Sequence, residues 1–183
     1  EPQESCWRVL NRRFNGQDVT VITSAISDSD GERTLFVDKS TTISSISNDW
    51  IHAVKKSGRF SSHKWAYKLS VPTSTLDALI DKYGEPAFCK IDVEGAEFDV
   101  LQGLSRPIKA ISFEFVSECP SSSLNCIEYL SELGKAKFNY YLGEARSFAL
   151  PAWVDYREIK TVLTTMNKDI SNFGDIYVRF SAI

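Results

Sequence analysis

None of the four cysteines (Cys6, Cys89, Cys119 and Cys126) stands in a C-x-x-C pair. The usual spacing of a structural zinc site is therefore missing. No apolar run approaches the ~20 residues of a membrane span, and no signal peptide is visible. Blocks of like charge are absent as well. With 21 basic against 24 acidic residues the net charge is −3, which gives no nucleic-acid footprint. The nearest approach to a basic cluster is Lys55, Lys56, Arg59, Lys64 and Lys68, diluted by serines, and such short patterns usually mark a solvated loop. There is no internal repeat and no interdomain linker. Cysteine usage fits a reduced, intracellular setting best, although Cys119 and Cys126 could pair in a secretory compartment. Cys89 reads as a small core residue.

What remains is ordinary globular material. The 183 residues are 43% hydrophobic and 25% charged, a composition and length that suit one domain. A chain of this size buries roughly 70% of its unfolded surface.

Strand and helix patterns alternate, which predicts an α/β fold with a mostly parallel sheet. Trp7, Leu10 and Phe14 predict a first helix between Pro2 and Gly16. Val19 to Ile22 is β-branched and predicts a strand. Asp28 to Gly31 carries turn chemistry, and Thr34 to Val37 reads as a short strand. Residues 38–70 fit no regular element well and are read as an irregular lid or substrate loop, Trp50 and Ile51 giving only a weak helical pattern. Lys68 to Val71 restores a strand. Pro72, Thr73 and Ser74 are then expected to start a helix that carries Leu76, Leu79, Ile80 and Tyr83 and stops at Gly84. Beyond it come a strand at Phe88–Val93, a helix with Phe98, Leu101 and Leu104, and a strand at Ala110–Val116. A helix with Leu124, Ile127, Leu130 and Leu133 follows, then a strand at Phe138–Leu142. Tyr156, Ile159, Val162, Leu163 and Met166 mark a last helix, and Asp175–Phe180 a closing strand.

The stretch from Phe88 to Leu101 is the most informative. A short apolar strand ends in carboxylates, turns on Gly95 and enters a helix. Desolvating a carboxylate is expensive unless it is paired or used. In open α/β sheets ligands bind outside the carboxyl ends of the strands. Asp92, Glu94 and Glu97 are thus candidates for function, and Glu114 and Glu118 lie at the end of the next predicted strand. Lys90, Asp92 and Glu94 share one side if the strand stays extended. The competing readings are structural: Lys90 neutralising Asp92 or Glu114 in an ion-pair cluster, and Glu97 favoured in a first helical turn by the dipole. Carboxylates two residues apart also suit a hard cation such as magnesium, but Glu114 is the sole third ligand in view and no metal is assigned. His52 and His63 fall in the irregular segment, where a histidine without a role is the commoner case.

Lys90-Ile91-Asp92-Val93-Glu94-Gly95-Ala96-Glu97 followed by Val100-Leu101-x-Gly103 resembles the hallmark of the FkbM-like methyltransferases. Weaker pieces fall in matching order: Glu1-Pro2, Ser24-Ala25-Ile26-Ser27-Asp28 with Gly31, Ser44-Ser45, Thr75-Leu76-Asp77, Glu114 and Asp175-Ile176-Tyr177-Val178. The resemblance implies a Rossmann-like class I methyltransferase sheet, mostly parallel with a C-terminal antiparallel strand, and S-adenosylmethionine as cofactor. It implies methyl transfer to a hydroxyl of a sugar or other natural product, so the expected partner is a small-molecule or glycan acceptor. It also implies cofactor binding by Glu1, Ser24, Ala25 and Asp92, with catalysis by Asp92, Glu94 and Glu114. Residues 1–183 would form a single methyltransferase domain. The strand, glycine-rich turn and helix that should precede Glu1 are missing, which is expected of a fragment that alone binds the cofactor poorly. The alternatives are an inactive, methyltransferase-like binding module and, less favoured, an NAD-binding Rossmann protein.

Overall fold

The structure is a computed structural model that describes residues 1–143, 145 and 147–181. It opens with helix α1 (Glu4–Arg13), whose Glu4 in the first turn and Arg12 and Arg13 in the last complement the helix dipole. Val19 to Ile22 does not form the expected strand. β-Branched residues favour an extended chain, but a strand exists only where a neighbour accepts its hydrogen bonds. Among the described residues no strand lies beside this one.

Strands β1 (Ala25–Ile26), β2 (Gly31–Val37) and β3 (Tyr67–Ser74) form a three-stranded sheet in the order β1-β3-β2. β1 runs parallel to β3, and β2 pairs antiparallel with β3 from Gly31↔Thr73 to Val37↔Tyr67. Pro72, Thr73 and Ser74, expected to start a helix, belong to β3. Val71 and Thr73 alternate inward and keep the chain extended. Helix α3 (Leu76–Tyr83) begins only where Thr75 accepts a hydrogen bond from the backbone of Ala78, and it stops at Gly84.

Residues 38–70 are more regular than expected. After a single 3₁₀ turn at Thr41–Ile43 comes helix α2 (Asn48–Ser57), capped by the Ser47 hydroxyl and ended by Gly58 in the left-handed conformation. Trp50, Ile51 and Val54 on its inner face form a small second core with Ile43. The cap was hidden in a run of serines, and one buried turn gives too short a period to read.

The second sheet holds β4 (Cys89–Ile91), β5 (Ala110–Val116), β6 (Ala136–Leu142) and β7 (Phe173–Phe180) in the order β4-β5-β7-β6. β4 and β5 are parallel, and β7 runs antiparallel to both β5 and β6. Helices α4 (Glu97–Gln102), α5 (Pro120–Leu133) and α6 (Tyr156–Met166) supply its apolar cover. Ile91, Ile111, Phe113, Phe138 and Ile176 meet Leu101, Ile127, Leu130, Ile159 and Leu163 in the main core. Each turn of α5 and α6 brings another apolar side chain to the same stripe, and a complete capping box formed by Asp155 and Glu158 starts α6.

The fold is thus α/β, as expected, but it consists of two mixed sheets rather than one mostly parallel sheet. Among the described residues, β1 pairs only with β3 and β4 only with β5, so no strand joins the two sheets. Cys89 is half-buried and packs against the main core, and all four cysteines are free. No helix among the described residues is long and apolar enough to cross a membrane.

Candidate active site

A cavity of about 310 Å³ is lined by residues of β1 and β2, by the segments before α1 and β1, and by the turn after β4. Its floor is the turn after β4, and its roof is the segment around the 3₁₀ turn. Glu1, Ser24, Ala25, Asp92 and Glu94, read from the sequence as site residues, all line it. Ile26, Leu35 and Ile46 add apolar wall. The 310 Å³ lies at the lower end of the range for small-molecule pockets.

The roof is tied to the wall. Gln3, buried at the start of α1, donates from its amide to the Thr41 carbonyl (3.1 Å) and accepts from the Ser44 hydroxyl (3.3 Å). Sequence reasoning missed Gln3, Thr41 and Thr42 as cavity residues. Only the place of Gln3 beside Glu1-Pro2, and of Thr41 and Thr42 in the serine-rich stretch, could have pointed to them.

The floor carries the charge. Lys90 lies 3.2 Å from Asp92 and 2.8 Å from Asp175, the residue opposite Glu114 in the sheet. Burial works against the Lys90 charge, but Asp175 and Asp92 outweigh it and raise its pKa. Lys90 therefore neutralises Asp92, as the structural reading expected, and its second partner is Asp175 rather than Glu114. Beyond Asp92 the chain turns sharply, with Glu94 at φ 55° and Gly95 at φ 91°. Carboxylate oxygens of Asp92, Glu94 and Glu114 come within 4.8 Å of one another. Three acidic groups so placed are common without an ion, and no metal is assigned to them.

Glu114 does not line the open cavity. It lies behind it on β5, beside a small internal cavity that Trp50 and Glu97 also line. Glu97 is 4% exposed and accepts from the backbone of Gly95 (3.1 Å) and Val93 (3.4 Å). It supports the turn and does not face the open cavity. Burial, then the charge of its acidic neighbours, pushes Glu94 up to about 7 and Glu114 up to about 8. Burial also pushes Glu97 to about 7 against the pull of its backbone hydrogen bonds. Carboxyls near neutrality, in reach of a cavity, are suited to take up a proton. His63 instead pairs with Asp38 at 3.0 Å and His52 is exposed; neither lines the cavity.

The methyltransferase FkbM domain matches residues 1–149. The chain belongs to the FkbM methyltransferase domain family. The match takes in both cavity walls, the acidic turn and Glu114; α6 and β7 lie beyond it. No curated protein matches the chain, and no solved structure does. Methyl transfer is the reaction class that the family name carries, and the cavity of this FkbM domain is where carboxylates and apolar wall converge.

Proposed function

We propose that the cavity binds S-adenosylmethionine and that the domain methylates a hydroxyl oxygen of a sugar or other natural product. The observation that carries this reading is convergence. Glu1, Ser24, Ala25, Asp92 and Glu94 are scattered over residues 1–94 and line one cavity. The donor chemistry fits the cofactor. Glu1 would hold the ribose hydroxyls; one of its oxygens already accepts from the Gln3 backbone at 2.8 Å, which fixes the side chain. Ile26, Leu35 and Ile46 would pack against the base, and Asp92 supplies negative charge for the cationic end. When bound, the cofactor supplies a methyl carbon made electrophilic by the adjoining sulfonium.

The remaining work belongs to the protein. Holding the acceptor hydroxyl beside Glu94 supplies proximity, a large share of the barrier lowering in such transfers. A hydroxyl held there would give up its proton to the Glu94 carboxylate, which burial and the neighbouring charges of Asp92 and Glu97 keep basic. Lys90 holds Asp92 in place without capping both of its oxygens.

A thermal shift series tests the reading. S-adenosylhomocysteine at a hundredfold excess over its Kd should raise Tm by about 5–10 °C, and NADH should leave it unmoved. Protection by NADH and not by S-adenosylhomocysteine would assign the cavity to a nucleotide cofactor of another class.

A further inference from the structure

The turn that presents Glu94 is held in a conformation that a glutamate does not choose. A φ of 55° in a residue with a Cβ costs about 1–2 kcal/mol. Something must oppose relaxation, and the peptide between Glu94 and Gly95 shows what does. Its carbonyl accepts from the Ser45 hydroxyl at 2.6 Å, and its N–H donates to Glu97 at 3.1 Å. One peptide group is gripped from both sides by two buried side chains, Ser45 at 1% exposure and Glu97 at 4%.

Ser45 has no freedom to do otherwise. Its backbone is fixed by a two-way bridge to Phe36, whose N–H donates to the Ser45 carbonyl at 2.8 Å and whose carbonyl accepts from the Ser45 N–H at 3.0 Å. Its hydroxyl oxygen accepts from the Ser47 N–H at 2.8 Å, which leaves its own proton for Glu94. A buried hydroxyl with nothing to bond would be costly, so the site is built around this contact. The same segment presses on the next residue: a Cβ at Gly95 would sit 2.2 Å from Cβ of Trp50.

We propose that Ser45 is a positioning residue for the reaction, one jaw of a clamp that holds the Glu94–Gly95 peptide so that the Glu94 carboxylate meets Asp92 and Glu114. The inference rests on the methyl-transfer reading for its purpose, and on the hydrogen bonds alone for its geometry. Ser45 is not a catalytic residue, because it touches only backbone. The charged groups around the Glu94 carboxyl are Asp92 on the same turn, Glu97 on α4 and Glu114 on β5, with Lys90 reaching it through Asp92.

The test uses the full protein labelled with carbon-13 at glutamate side-chain carboxyls. In the wild type the Glu94 signal should titrate at about 7. In Ser45→Ala the turn relaxes, the carboxylate reaches water, and the midpoint should fall by a unit or more. Ser45→Thr, which keeps the hydroxyl, should restore the wild-type midpoint. If Ser45→Ala does not fold, Ser45→Cys, of similar size but a weak donor, gives the same reading. An unmoved Glu94 midpoint in folded Ser45→Ala or Ser45→Cys overturns the clamp. Titration of S-adenosylhomocysteine in parallel keeps the two ideas apart: failure of the wild type to bind it would remove the methyl-transfer reading and leave the Glu94 shift standing.

Discussion

Glu94, Glu97 and Glu114 crowd one corner of the molecule, and burial raises the carboxyl of each toward neutrality, to about 7, 7 and 8. An unfolded chain would release these protons near 4.5, the ordinary glutamate value. Between those limits the folded protein holds more protons than the unfolded one, so stability falls as pH rises. The contribution is fully present below about pH 4.5 and is lost by about pH 8. The loss across that window should be large enough to lower the denaturation midpoint measurably at each step. Urea denaturation at pH 5, 7 and 8.5 measures it. Glu114→Gln removes one titrating group and its repulsion on Glu94, so it should flatten the pH dependence and stabilise the protein at pH 8.5. Stability that is level or rising over that range would show the three carboxyls to be ionised and solvated.

Helix α2 and the turn after β4 form the contact on which the site's shape depends. Gly95→Ala places a Cβ against Trp50 at a backbone φ of 91°. Overpacking and left-handed strain add, and the substitution should cost about 3 kcal/mol or more. Equilibrium denaturation followed by tryptophan fluorescence checks this; a loss under 1 kcal/mol would mean that α2 moves aside freely. That contact lies beyond what local sequence can show. The α6 helix is legible because Tyr156, Ile159 and Leu163 repeat the helical period behind the Asp155 capping box, and β5 because Ile111, Phe113 and Phe115 alternate. Helix α2 hides because only Trp50, Ile51 and Val54 face a core and its cap is one serine among many. Pro72 misleads because proline starts helices and also sits in strands, and only the pairing with β2 decides. Asp92 and Glu94 are legible because charge at the end of an apolar strand needs a reason. The Ser45 contact is not, because it is a bond to a backbone 49 residues away.

On the scale of the whole molecule, the proposed site draws on two mixed sheets that share no strand among the described residues. The smaller sheet and α1 bring Glu1, Ser24 and Ala25, and the larger brings Asp92 and Glu94, so neither half contains the cavity alone. Family membership gives the reaction class, and the cavity is the place we propose for it. The most direct test is calorimetric titration of S-adenosylhomocysteine into the longest natural form of the protein, as wild type and as Asp92→Ala. Saturable micromolar binding by the wild type, weakened at least tenfold in a folded Asp92→Ala, is the predicted result. Binding that Asp92→Ala leaves unchanged, or none by the wild type, would contradict the assignment of this cavity to the cofactor.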